Sequence, residues 1–199
     1  MLGLPSGTEL SKQLPKTAIY RKFNMNSAAK ERFDADISRI TIAAEISTAT
    51  TNIPKGENIS SIYVLLVSLK RKDFEERTIS QLSKLIDQNM LLVLEYEGQY
   101  KLAIYHTKLI HRDWQKIDDC SVTLKGLNLD AVWENLIVQV GEIQIAEENT
   151  LDEQIVIDEQ KAKLQKEIAR LEKQARNEKQ PKKKFDLVQR IKELRTKGR

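Results

Sequence analysis

Two apolar runs separated by one helical segment constrain the fold of this chain most strongly. Residues 62–69 are almost entirely apolar and rich in strand-forming side chains, a pattern typical of a strand covered on both faces. A second such run covers residues 90–96. The intervening apolar residues keep helical spacing: Ile79, Leu82, Leu85 and Ile86. Asp73 and Glu76 have the spacing of a capping box at the start of that helix. The pattern predicts a βαβ unit with two parallel strands.

Weaker patterns predict the rest of the sheet around this unit. A turn at Glu97-Gly98 or at Gly98-Gln99 connects the second strand to residues 100–108 as a hairpin. Further strands are predicted at 16–23, 39–46 and 120–124, and helices at 27–33 and 129–140. Ser6 and Glu9 have the spacing of a capping box, which predicts a helical turn before Pro15. We therefore expect an α/β body with a mixed sheet of five or six strands.

The distribution of charge divides the chain into two parts. Residues 161–199 contain 15 Lys and Arg but only five Asp and Glu, whereas the preceding 160 residues carry a net charge of −6. Glycine is absent between Gly141 and Gly198. These features predict a globular domain over residues 1–146 and a basic helical tail over residues 150–199.

The tail has the pattern of two helices, at about residues 152–178 and 184–196, separated by Pro181. Apolar residues at spacings of four and three form a seam along the first helix: Leu164, Ile168, Leu171 and Ala175. Two or three imperfect heptads are too few for a stable free-standing coiled coil. The seam therefore needs a partner, which is the second helix, the body, another copy of the chain or another protein. A helical hairpin and an interrupted coiled coil both fit this pattern.

Composition and missing motifs exclude several classes of protein. The single cysteine, Cys120, excludes a disulfide scaffold and a cysteine zinc site. His106 and His111 lack suitably spaced acids, and the phosphate-loop, dinucleotide and serine-nucleophile motifs are absent. We therefore expect no metal and no cofactor. The start of the chain does not resemble a secretory signal, and the longest uncharged run, residues 58–69, is too short to span a bilayer. These patterns predict a soluble, cytoplasmic protein without membrane partners.

One enzymatic alternative, a Mg²⁺-dependent nuclease of the restriction-endonuclease type, has candidate residues. Such chemistry needs two or three carboxylates for the metal and a lysine near the attacking water. Lys70 ends the first apolar strand, although Ser68 replaces the acid expected two residues before it. Glu95 and Glu97 are predicted on one face of a strand, with Lys101 across the turn. The alternative interpretation of these residues is the solvated edge of a hairpin.

The basic residues of the tail give the strongest indication of binding. They are Lys179, Lys182, Lys183, Lys184 and Arg190. They can lie along a phosphate backbone, or they can solvate a helix that contacts only protein. Phe185 is the one aromatic residue among them and is predicted to belong to the core, so any nucleic-acid binding should be independent of base sequence and should not involve stacking.

The order of these features resembles a bacterial family known only as a domain of unknown function, DUF4391. The resemblance is carried by residues 14–16, 51–52, 62–70 and 91–105, and by the close of the chain over 171–187. It implies a genetic setting beside helicase-like and DNA-methyltransferase genes in restriction or phage-defence loci. It implies no catalytic residues.

Taken together, the residues and the resemblance predict a non-catalytic accessory or adaptor protein of a bacterial DNA-modification or phage-defence system. Its C-terminal helices would bind a helicase or methyltransferase partner, and non-specific DNA is a further candidate ligand. The competing classes are the divergent nuclease and a self-assembling homo-oligomer that uses the tail as a zipper.

Overall fold

A computed structural model of the chain describes residues 2–84 and 88–197. The predicted helical residues Leu85 and Ile86 lie outside the described residues. Contacts within the chain group it into two compact units, Met1–Ile143 and Gln144–Arg199. Whether these units fold independently, as the predicted boundary near residue 146 implies, stays a prediction.

The first unit contains a mixed sheet of six strands arranged in the order in which they occur along the chain. The strands are β1 (Glu9–Leu14), β2 (Ile37–Ser47), β3 (Ser61–Leu69), β4 (Asn89–Tyr96), β5 (Gln99–Tyr105) and β6 (Leu109–His111). β3 and β4 are parallel, whereas every other neighbouring pair is antiparallel. The predicted mixed sheet, with one βαβ unit and one hairpin, is confirmed.

Five α-helices accompany the sheet in the described part of this unit. They are α1 (Lys16–Lys22), α2 (Ser27–Asp36), α3 (Thr48–Thr51), α4 (Glu76–Leu82) and α5 (Leu129–Gly141). Asn26 caps α2, because its side chain accepts a hydrogen bond from the backbone N–H of Ala29. The predicted capping box at the start of α4 is wrong: Glu75 is the N-cap residue, and its side chain makes no capping bond.

Three other local predictions are also wrong. The strand predicted at 16–23 is instead helix α1 with Phe23 directly after it, because Ile19, Tyr20 and Phe23 pack against the core from one side of this helix. Residues 120–124 contain no strand. Residues 9–14 form edge strand β1 instead of a helical turn. Because β1 is exposed along most of its length, it lacks the alternating apolar pattern by which a strand is recognised.

Both faces of the sheet are covered. One face packs against helices α1, α2 and α4 through a cluster that includes Ile19, Phe33 and Ile79. Helix α5 packs against β3, β5 and β6. This double cover explains why β3 and β4 are nearly continuous in apolar residues. Glu97 and Gly98 form the two-residue turn between β4 and β5, both with positive φ, which settles the register of the hairpin.

The second unit is a helical hairpin formed by α6 (Leu151–Asn177) and α7 (Pro181–Lys197). Thr150 and Glu153 form a capping box at the start of α6. Helix α7 begins at Pro181, three residues earlier than predicted, because proline fits the first turn of a helix, where an N–H has no partner. No helix among the described residues has the length and apolarity needed to cross a membrane.

Candidate nucleic-acid interface

The apolar seam of the tail is filled by the chain's own second helix. Leu171 and Ala175 of α6 are buried with Ile191 of α7. Ile168, Leu187 and Leu194 pack against this cluster. The sequence leaves open which partner covers the seam. In the structure, that partner is the second helix, α7. Leu164 is only partly buried and lines a shallow groove with Ile168 and Arg195.

Ion pairs connect and brace the two helices. Glu172 of α6 contacts Arg195 of α7 at 2.7 Å, and this pair joins the helices directly. Along α6, Glu167 accepts hydrogen bonds from Arg170 at 2.7 and 2.8 Å, and these bonds hold the pKa of the Glu167 carboxyl below its usual value despite some desolvation. Exposed pairs of this kind contribute at most about 1 kcal/mol each, so the seam carries most of the stability of the hairpin.

The basic residues around the turn of the hairpin remain exposed. Lys179, Lys182, Lys183 and Lys184, hereafter the lysine cluster, form no ion pair with any residue in the described ranges 2–84 and 88–197. Arg190 is also exposed and lowers the pKa of Glu167 through its charge. The cluster is therefore a concentration of positive charge that no ion pair among the described residues neutralises.

A groove between the two helices adjoins this positive surface. Its charged lining consists of the basic Arg170, Lys173 and Lys183 and the acidic Glu178 and Asp186. Arg170 and Lys173 were not among the predicted binding residues. Their positions relative to Lys183 depend on how the two helices pair, and the spacing of charges along one helix does not show this.

Phe185 is not part of the core, so that prediction is wrong. The side chain is 61% exposed, and Val188 one turn later is 38% exposed. The apolar face that α7 buries consists of Leu187, Ile191 and Leu194 instead. An exposed aromatic residue thus directly follows the lysine cluster.

The four nuclease candidates do not converge on one site. Glu97 lies in the turn after β4, so its predicted place on the strand beside Glu95 is wrong. Glu95 pairs with Tyr100, whereas Lys101 pairs with Leu94, so Glu95 and Lys101 lie on opposite faces of the sheet. Lys70 follows β3, and its backbone N–H donates to the carbonyl of Asp36.

Lys101 has an unusual environment of its own. It is 9% exposed, and its Nζ lies 5.5 Å from the centre of the Trp114 ring, which Lys72 approaches at 5.6 Å. Burial lowers the pKa of the Lys101 ammonium, and the charges of Asp113 and Glu76 oppose this shift. Trp114 thus makes cation–π contacts with two lysines.

Two aspartates at the carboxyl end of β3, Asp34 and Asp36, are not among the site residues that the sequence predicts. Asp36, fully buried at the end of α2, accepts hydrogen bonds from Arg71 and from the backbone N–H of Glu75. Asp34 accepts from Lys16 and from the Tyr20 hydroxyl, both at 2.6 Å. Both carboxylates are thus engaged by cationic side chains. Asp36 and Arg71 are far apart in sequence, so no local pattern indicates their pairing.

The structure also locates the predicted histidine and cysteine candidates. Within the described residues, no three His, Cys, Asp or Glu side chains are grouped so that they could hold a metal ion. His111 lies 3.7 Å from Glu76. Cys120 is buried, and this burial raises the pKa of its thiol. A raised thiol pKa disfavours the nucleophilic thiolate.

Comparison with known proteins identifies a family for almost the entire chain. The family model described as Domain of unknown function (DUF4391) matches residues 2–197. No curated protein and no solved structure matches the chain. Because the family model covers far more than half of the residues, the chain belongs to the DUF4391 family.

Proposed function

We propose that this protein is a non-catalytic accessory protein of a bacterial DNA-modification or phage-defence system, and that its C-terminal hairpin binds the phosphate backbone of DNA. One observation carries the proposal. The hairpin closes its apolar seam internally, while the lysine cluster stays exposed and without carboxylate partners in the described chain. The surface that remains for a ligand is therefore mainly charged, with Phe185 and Val188 as exposed apolar side chains beside the lysines.

The distribution of charge along the hairpin favours a polyanionic ligand. Residues 144–160 contain six acidic and no basic side chains, and all the basic residues of the hairpin follow from Lys161 onward. Each lysine that contacts a phosphate releases condensed counterions, which supplies sequence-independent affinity. Lysine and arginine side chains on a helix exterior position a protein on a nucleic acid without selecting its sequence.

The helicase or methyltransferase partner rests on the genetic setting implied by the family resemblance. Because α7 covers Ile168, Leu171 and Ala175, a partner helix would have to dock elsewhere on the protein. In this proposal the accessory protein attaches a partner enzyme to DNA, and the hairpin supplies the contact with DNA.

The proposal is tested with the full-length protein and fluorescently labelled duplexes of two unrelated sequences. Anisotropy titrations should give similar affinities for both duplexes, and the affinity should fall steeply as salt is raised. Affinity purification from the native host should co-purify a helicase or methyltransferase. A protein that binds neither duplex at low salt would overturn the assignment of the hairpin to duplex DNA.

A divergent Mg²⁺ nuclease is the second candidate, favoured by the position of Asp34 and Asp36 at the end of β3 beside Lys70. Against the nuclease, the carboxylate of Asp34 already accepts hydrogen bonds from Lys16 and Tyr20. The carboxylate of Asp36 accepts one from Arg71. Incubation of supercoiled plasmid with the protein and Mg²⁺ separates the two functions. Cleavage that Lys70→Ala abolishes, with folding preserved, would establish the nuclease; the accessory function predicts an intact plasmid for both proteins.

A further inference from the structure

We propose that Phe185 is a stacking platform for an unpaired base, so that the hairpin binds single-stranded DNA more tightly than duplex DNA. This inference rests on the proposed DNA-binding function of the hairpin. It names the form of nucleic acid that the hairpin prefers. The observation behind it is an aromatic side chain left in water immediately after three consecutive lysines.

The position of Phe185 on α7 explains its exposure. Leu187 packs in the seam, and two residues along an α-helix correspond to a rotation of about 200°. Phe185 therefore points away from α6. An aromatic side chain is among the largest apolar groups that a fold can bury, and the hairpin leaves this one 61% exposed.

The surroundings of Phe185 match a single strand of nucleic acid. Lys182 and Lys192 lie three residues before and seven residues after it, which places both on the same face of α7. Val188 lies on this face as well and is 38% exposed. A base can stack on the ring while the adjoining phosphates contact the lysines, an arrangement typical of proteins that bind single strands without sequence preference.

Duplex DNA cannot use this ring in the same way, because its bases are already stacked and paired.

The charges also argue against a second copy of the chain as the occupant. Two identical faces carrying Lys182 and Lys192 would bring like charges together, which disfavours self-association through this surface.

The test uses full-length protein with a labelled 20-nucleotide oligothymidine and a 20-base-pair duplex, titrated at one fixed salt concentration. The variants are Phe185→Ala, Phe185→Leu and Phe185→Trp, with Leu127→Ala as a control that removes another exposed apolar side chain, 91% exposed in the first unit. Phe185→Ala should weaken binding to the single strand about five- to 150-fold. Duplex affinity should not change. Phe185→Leu should resemble Phe185→Ala, whereas Phe185→Trp should retain wild-type affinity.

Other results would overturn the inference, and each would indicate a different role for Phe185. If Phe185→Leu binds the single strand like the wild type, the contact is apolar and no base stacks on the ring. If Phe185→Ala loses binding to anionic phospholipid vesicles, or loses a dimer seen by sedimentation, while single-strand affinity is kept, the occupant is a lipid surface or a second copy. If binding to both nucleic acids is sensitive to salt but no variant alters it, this inference is wrong and the proposed function still holds. A wild-type protein that binds neither nucleic acid removes both.

Discussion

Leu171 of α6 and Ile191 of α7 lie in one buried cluster, 6% and 7% exposed, although 20 residues separate them in the chain. This contact makes the C-terminal segment a closed hairpin instead of a single helix with an open apolar seam. It also defines which side chains of the hairpin remain available to a ligand.

Leu171→Ala and Ile191→Ala should each destabilise the hairpin by about 2 kcal/mol or more, because each empties part of its small core. Both tryptophans, Trp114 and Trp133, belong to the first unit. Thermal melts should therefore show an early loss of helical circular dichroism while tryptophan fluorescence keeps its midpoint. Val188→Ala, at a more exposed position, serves as the control. Unchanged melts for both core variants would contradict the closed hairpin.

The ion pair between Asp36 and Arg71 should respond unequally to removal of its two members. Arg71 is half exposed and can turn into water when Asp36 is replaced. Asp36 is fully buried, and when Arg71 is replaced the backbone N–H of Glu75 is the one hydrogen-bond donor to its carboxylate that remains among the described residues. Arg71→Ala should therefore lower the free energy of unfolding more than Asp36→Asn does, because it leaves a buried carboxylate without its cation. Urea denaturation measures both, with exposed Arg21→Ala as the control. The reverse order would show that the buried carboxylate is not held by Arg71.

The hydrogen bond from Tyr20 to Asp34 should make stability fall at alkaline pH. Burial, with the Asp34 hydrogen bond and charge, raises the pKa of Tyr20 from 10.0 to about 12. Because the folded state favours the protonated phenol, this contribution is complete below pH 10 and is lost as the pH rises to about 12. The urea midpoint of the wild type should fall across this window more steeply than that of Tyr20→Phe. Parallel curves for the two proteins would rule out the linkage.

Limited proteolysis should separate the two units. Residues 144–148 are exposed, and they lie between the end of the first unit and the capping box of α6. Thermolysin should cut at Ile145 or close to it and release a fragment ending there. That fragment should retain the tryptophan fluorescence of the intact protein. A fragment that aggregates or loses this signal would show that the hairpin completes the core of the first unit.

Much of the fold could be predicted because its central elements have strong local patterns. Strands β3 and β4 are covered on both faces, so nearly every side chain is apolar, and α5 and α6 present regular apolar faces with clear N-caps. The sequence of helix α1 predicts a strand because Ile19, Tyr20 and Phe23 favour strands intrinsically. Packing of these side chains on the core outweighs that preference.

The interface residues were harder to predict, since they depend on contacts between distant parts of the chain. The basic charge of the tail is visible in composition alone. The exposure of Phe185 follows from which face of α7 meets α6, and several apolar stripes along α7 are compatible with its sequence. The pairing of Asp36 with Arg71 depends on β2 lying beside β3, and no short motif encodes this arrangement.

The central claim, that the lysine cluster contacts phosphates, is tested most directly by the salt dependence of duplex binding. Lys182, Lys183 and Lys184 are replaced together by Gln, and the matched control carries Gln at the exposed Lys12, Lys22 and Lys55, which gives the same change in net charge. If the three tail lysines each contact a phosphate, their replacement should flatten the log–log slope of affinity against salt by about 2.7. The control should keep the wild-type slope. Equal slopes for wild type and both triple variants would contradict the account, because the lysines would then contribute no phosphate contacts.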